Sequence, residues 1–189
     1  MPPLDSSLWR QQTDYLLSRG LLTHIASDNL WYPSSAAGDT SPRIVIPATA
    51  GAGNIFWQAR AMDDNPKRYQ SPHAPRGDAV VLVWPSKLHP AKRAVIVEGP
   101  MDALAAASLG FLGVGLMGIT PPDGALSLVC RMVAGMDIAL VADKDQVDGM
   151  MKVMGRILSR IRGKVELLVS YPFKDLADAP PAFRKELLL

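Results

Sequence analysis

The stretch AVIVEGPMDALAAASLGFLGVGLMG (94–118), followed by IALVADKD (138–145), decides the architecture. Ala94 to Val97 is a short, wholly apolar run, the signature of a strand buried on both faces. Asp102 to Leu109 is a small-residue helix closed by Gly110, and Phe111 to Met117 is a glycine-laced strand. Beyond it the same grammar repeats: a helix over Ala125 to Ala134, a strand over Ile138 to Ala142, a helix over Val147 to Ile161 and a last strand over Val165 to Ser170. Met150, Val153, Met154, Ile157, Leu158 and Ile161 mark the apolar face of the last helix. Strands alternating with helices predict an α/β fold, with a mainly parallel sheet flanked by helices on both faces.

Upstream the pattern differs. Residues 7–22 read as an amphipathic helix ending at Gly20, and Ser34 to Ser41 as a loop. RIVIP (43–47) and NIFWQARA (54–61) form a predicted hairpin with its turn at Gly51 and Gly53, and AVVLVW (79–84) is a further strand. PSKLHP (85–90) reads as a linker. The expected organisation is a smaller α+β lobe over 1–88 and an α/β domain over 89–189.

Composition narrows the function. The chain has 189 residues, 48% of them hydrophobic and 20% charged, which suits one domain or two joined lobes and excludes a disordered chain or a rod. No apolar run reaches the length of a spanning helix, and Met1 to Arg10 lack a secretory pattern, so a cytoplasmic protein without membrane contact is expected. One cysteine, Cys130, and three histidines cannot build a thiolate-rich zinc site. A net charge of +2 forces no polyanionic partner. Fifteen aspartates stand against three glutamates, so a glutamate inside a motif draws notice.

Three acidic clusters follow three predicted strands: Glu98 and Asp102, Asp143 and Asp145, then Asp175 and Asp178. Each has an ordinary explanation, since Asp102 can cap its helix and the aspartates suit turns. Their shared position does not, because in open α/β sheets ligands bind beyond the carboxyl ends of the strands. Carboxylates gathered there repel one another, and a divalent cation removes that cost. With oxygen ligands alone, the expected ions are Mg²⁺ or Mn²⁺, two or more of them, and the chemistry is metal-assisted phosphoryl transfer.

VIVEGPMDALAAASLGF, LMG, LVADKD and KDLAD resemble, in order, the Toprim domain shared by topoisomerases and primases. The hydrophobic–Glu-Gly-x-x-Asp form looks most like bacterial-type (DnaG-like) and phage DNA primases. Upstream, YLLSRGL (15–21), RIVIP, WQAR (57–60) and PKRYQSP (66–72) are similar to the N-terminal lobe of the primase RNA-polymerase core. The resemblance makes Glu98 the catalytic carboxylate supported by Asp102, with Glu98, Asp143, Asp145, Asp175 and Asp178 as metal ligands. It gives Arg19, Arg60, Lys67, Arg68, Arg76, Lys144 and Lys174 to nucleotide phosphates and nucleic acid, where guanidinium forks neutralise charge without reading sequence. The implied partners are a single-stranded DNA template, nucleoside triphosphates, and a helicase or separate template-recognition module, in a bacterial or phage-infected cell. The sequence departs from the family where Asp148 stands in a glycine position, and it holds neither a zinc-binding module nor a helicase P-loop.

Other signals fail on context. Gly113-x-Gly115-x-x-Gly118 matches a dinucleotide fingerprint, but Pro121 and Pro122 prevent a helix from opening there. The glycines are expected to allow close backbone approach near the acidic site. Lys152, Arg156 and Arg160 form a basic stripe read as a solvated face, and Cys130 as a core thiol. Two alternatives to primer synthesis stand: a Toprim-type metal-dependent nuclease, and a non-catalytic single-stranded-DNA-binding adaptor of the replisome.

Overall fold

The computed structural model describes residues 1–37, 39, 41–50, 56–86 and 91–189. A four-stranded antiparallel sheet runs in chain order through β1 (Tyr32–Ser34), β2 (Arg43–Ala48), β3 (Phe56–Ala61) and β4 (Tyr69–Gln70). The expected hairpin is present, with Arg43 opposite Ala61 and Ala48 opposite Phe56, while its turn at Gly51 and Gly53 lies outside the described residues. The second sheet contains β5 (Val81–Val83), β6 (Arg93–Val97), β7 (Leu112–Gly115), β8 (Asp137–Ala142) and β9 (Val165–Val169), in the order β5-β7-β6-β8-β9. Its pairings are parallel except that of β5 with β7.

The strand at Val81–Val83, expected within the first lobe, is therefore the edge of the second sheet. Thr49 and Val80 exchange backbone hydrogen bonds of 2.7 and 2.9 Å, tying the end of β2 to that edge. The position chosen between the lobes, 88/89, lies outside the described residues.

Helix α1 (Trp9–Ser18) is followed by Gly20, whose φ of +62° reverses the chain. A second helix that the sequence pattern did not give, α2 (Thr23–Asp28), follows it. In the second unit, α3 (Pro100–Ala107) joins β6 to β7, α4 (Asp123–Met132) joins β7 to β8, and α5 (Val147–Leu158) joins β8 to β9. The last helix, α6 (Pro181–Leu188), follows the third acidic cluster.

Strand alternation divides the core. Val95 and Val97 of β6 face α3 and the first lobe, whereas Ala94 and Ile96 face α4 and α5. Every residue of α3 is buried, because one side packs on the sheet and the other on Leu21, Ile25, Ile44 and Ile46. This is why the helix is built from alanines and lacks a polar face. Cys130 is a buried thiol among Leu126, Val129 and Val133.

Two members of the basic stripe, Arg156 on α5 and Arg160 just beyond it, pair with α4. Arg156 and Arg160 both bond one carboxylate oxygen of Asp123 on α4, at 2.9 and 2.6 Å, and Arg156 also reaches the carbonyl of Pro121. Exposed pairs of this kind contribute little. Asp123→Asn is therefore expected to leave both the thermal midpoint and any activity of the protein essentially unchanged, as differential scanning calorimetry would register.

Candidate active site

The chain passes from β6 through α3 to β7 on one side, then places β8 on the other side of β6. That reversal creates a crevice beyond the carboxyl ends of β6 and β8. Glu98 follows β6 and Asp143 follows β8, so the two carboxylates enter the crevice from adjacent parallel strands. The loop after β9 brings Asp175 to the same place.

A cavity of about 180 Å³ is lined by Glu98, Asp102, Asp143 and Asp175, with Lys174 and Arg68 at its wall. Burial, reinforced by Asp175, Glu98 and Asp145, pushes the Asp143 carboxyl up to about 7. Burial and then the charge of Asp145 raise Glu98. Asp102 is 7% exposed, and burial and the neighbouring Asp175 hold its carboxyl well above the usual range. It does not cap α3, whose first turn begins at Pro100 with no side-chain cap. Instead Asp102 Oδ1 accepts the backbone N–H of Ala177 at 2.8 Å, pinning the third acidic loop to the first.

As they stand, no three acidic, histidine or cysteine side chains among the described residues are close enough to share one ion. The donor set nevertheless fits a hard divalent cation in kind: it is all oxygen, with the carboxylates of Glu98, Asp143 and Asp175 lining one cavity.

A larger cleft of about 760 Å³ adjoins the carboxylate cavity, between α1, β3, the 62–68 segment and the chain before α6. Arg19, Arg60 and Arg68 line both spaces. Arg60 Nε donates to the Tyr15 hydroxyl at 2.8 Å, and its guanidinium lies 5.2 Å from the centre of the Tyr69 ring. Arg19 lies 5.4 Å from the Tyr15 ring centre and bonds Asp178 at 2.8 Å. Asp178 thus lines the larger cleft and not the carboxylate cavity, while its N–H donates to Asp175 at 2.8 Å and its charge helps to raise Asp102.

The remaining basic residues divide. Lys174 lines the carboxylate cavity, whereas Lys67 and Lys144 are exposed and line neither space. Arg76 is engaged elsewhere, donating to the carbonyls of Leu116 and Met117 at 3.2 and 2.6 Å. That turn, with Met117 at φ +55°, returns a hydrogen bond from Gly118 to the Glu98 carbonyl. Asp145 is exposed but acts on both Glu98 and Asp143 through its charge.

Three residues of the site were not singled out from sequence. Tyr15 stands one helical turn before Arg19, a spacing that brings side chains together and could have been read. Tyr69 carried no such signal beyond its place in a basic segment. Arg184 belongs to α6, whose start at Pro181 matches the preference for proline in a first helical turn.

No family model matches the chain, and no curated protein matches it by sequence. Solved structures do. The DnaG catalytic core is 16% identical with a TM-score of 0.66, the match covering 93% of this chain and 69% of that one. The primase fragment of the bacteriophage T7 primase-helicase protein is 20% identical with a TM-score of 0.64, covering 92% and 71%. A DnaG primase catalytic domain bound to single-stranded DNA is 15% identical with a TM-score of 0.64, covering 94% and 73%. The fold is that of the primase catalytic core. The expected α/β sheet with a smaller preceding α+β lobe is thus the one observed, and the primase-core architecture extends over nearly the whole chain. Among the described residues, no helix is long and apolar enough to cross a membrane.

Proposed function

We propose that this chain is the catalytic core of a DNA primase, a DNA-directed RNA polymerase that makes short primers on single-stranded DNA. The observation that carries the reading is the switch-point crevice, where mutually coupled carboxylates face Arg19, Arg60 and Arg68. In this reading Glu98, Asp143, Asp145 and Asp175 would hold Mg²⁺ or Mn²⁺, and Asp178, now paired with Arg19, would complete the set. The bound ions would neutralise the triphosphate and lower the cost of ionising the primer hydroxyl.

The chain's own residues account for the rest. Glu98, which enters the crevice directly after β6, takes the proton of the 3′-hydroxyl. The new bond forms between that oxygen and the α-phosphorus as the bond to the β-phosphate oxygen breaks and pyrophosphate leaves. Arg19, Arg60 and Arg68 hold the phosphates, and Tyr15 and Tyr69 keep the first two guanidinium groups in place. Lys174 stands beside Asp143, Lys67 and Lys144 take outlying phosphates of template and primer, and Arg76 holds the turn behind Glu98. Template choice comes from a separate recognition module or helicase partner, in the cytoplasm of a bacterial or phage-infected cell.

The test uses mixed single-stranded DNA templates, four nucleoside triphosphates and Mg²⁺ or Mn²⁺, with labelled products resolved on a gel. A ladder of short products, absent from Asp143→Asn/Asp145→Asn, is the expected outcome. Metal-dependent loss of template without added nucleotides would make the protein a nuclease. Template binding indifferent to EDTA, without turnover, would make it an adaptor.

A further inference from the structure

The guanidinium groups of Arg19, Arg60 and Arg68 approach from the first lobe and the carboxylates of Glu98, Asp143 and Asp175 from the second, so something must hold these walls in register. Arg184 stands at their junction. It comes from α6, is 2% exposed, and donates to carbonyls of two separate segments. Its Nη2 bonds Arg19 O at 2.6 Å and Ala177 O at 2.7 Å, and its Nη1 bonds Gly20 O at 3.1 Å.

Each of those carbonyls belongs to a site wall. Arg19 carries the guanidinium that pairs with Asp178. Ala177 lies between Asp175 and Asp178, and its peptide is gripped from both ends, the N–H by Asp102 and the carbonyl by Arg184. Two apolar contacts fix the helix that supplies the arginine. Pro181 packs so closely on Gly20 that a Cβ there would fall 2.8 Å from the proline ring, and Phe183 meets Phe173 edge-on at 4.9 Å. The charge also lies beside the buried carboxyl of Asp102. A buried arginine held by three backbone carbonyls, those of Arg19 and Gly20 on one side of the cleft and that of Ala177 on the other, has the geometry of a latch.

We infer that Arg184 is a positioning residue, which sets the distance between the Arg19 wall and the Asp175–Asp178 loop across the cleft. Its effect on catalysis rests on the primase reading above, whereas its effect on the two loops does not. Arg184→Lys separates the possibilities, because it keeps the charge beside Asp102 but replaces a fork bonded to two segments with a single ammonium.

The experiment is amide hydrogen exchange by NMR on the full chain, alongside nucleotide kinetics. For Arg184→Lys, exchange at Ala177 and Leu21 is expected to accelerate by roughly tenfold or more, the scale of losing a native hydrogen-bonded clamp, while β6 and β8 amides keep their protection. Arg184→Met should match it at those amides, and serves if the lysine variant proves poorly folded. In the primer assay the lysine variant is expected to raise the nucleotide KM about tenfold, yet to add no more than about twofold on an Arg19→Gln background, since the two act through one contact. Parental exchange at Ala177 in the lysine variant overturns the inference, because charge alone would then suffice. So does a fully multiplicative effect with Arg19→Gln. If the parent protein makes no primers, the primase reading falls and the exchange measurement still decides the role of Arg184.

Discussion

Asp143→Asn is expected to make the metal-free protein more heat-stable at neutral pH while abolishing its response to Mg²⁺ and its primer synthesis. The sign follows from protonation. In the folded, metal-free chain the Asp143 carboxyl titrates at about 7, against 3.8 without its surroundings. Between those values the folded state binds more protons than the unfolded state, so the stabilising protonated form is fully present below 3.8 and lost as pH rises through about 7. Glu98 and Asp102 are raised in the same direction and steepen the decline. Asparagine keeps the shape and removes the charge, so the variant should show a flatter stability curve from pH 4 to pH 8.

Magnesium is expected to reverse the decline in the parent by binding the deprotonated carboxylates. At about 100 times its Kd a ligand adds about 2.7 kcal/mol, which for a chain of this size moves the midpoint by roughly 5–10 °C. The shift should be large at pH 8, small at pH 5, and absent in Asp143→Asn. Activity should fall by on the order of 10³-fold, since metal-borne charge stabilisation supplies several kcal/mol of the barrier reduction. Differential scanning calorimetry with and without Mg²⁺ at both pH values, beside the primer assay, measures all three. A variant less stable than its parent at pH 8 without metal would sink the account of the crevice as a set of frustrated carboxylates.

How much of this was legible in the sequence differs between the two lobes. The parallel sheet was readable because AVIV and IALVA are apolar on both faces, and because an acidic residue follows each strand at the place where such sheets bind ligands. The first lobe was harder. β1 and β4 span three and two residues, too few to show a period, and α2 is a single short helix with little pattern of its own. β5 was visible as a strand, but its sheet depended on a pairing with β7 that no local pattern encodes. In the site, the gathering of Glu98, Asp102, Asp143 and Asp175 was readable from their places after strands, whereas the exposure of Asp145, the pairing of Asp178 with Arg19 and the supports were not. Asp102 serves a loop 75 residues away, and Arg184 binds a turn 164 residues away. Arg76 shows the converse, since a basic residue in a basic segment reads as a phosphate ligand until its guanidinium is seen to hold the turn behind Glu98.

Gly113→Ala is expected to leave no soluble folded protein, and Gly115→Ala to fold but work slowly. The two glycines lie two residues apart on β7, facing the same side of the sheet, and the difference lies in what a methyl group would meet. At Gly113 a Cβ would fall 2.0 Å from the Ala103 carbonyl oxygen, 2.6 Å from its carbon and 2.8 Å from its Cα. All three are backbone atoms of a helix buried along its whole length between the sheet and the first lobe, so none can rotate away. Relief requires α3 to move as a body, opening contacts on both of its sides. Overpacking of that kind exceeds the ordinary cost of about 1–3 kcal/mol and approaches the 5–15 kcal/mol that holds a typical domain together. At Gly115 the nearest atoms, Gly99 O, Gly99 C and Pro100 Cα, would lie at 3.1, 3.2 and 3.2 Å. A shift of a few tenths of an ångström accommodates them, but the segment that shifts directly follows Glu98. A catalytic carboxylate displaced by a fraction of an ångström costs about tenfold in rate, given that a full ångström can cost 10²-fold. Soluble yield and far-UV circular dichroism separate the first variant from its parent, and the primer assay the second. Parental yield from Gly113→Ala would mean that α3 is free to lift from β7, and the rigid support it gives to Glu98 and Asp102 would have to come from the first lobe instead.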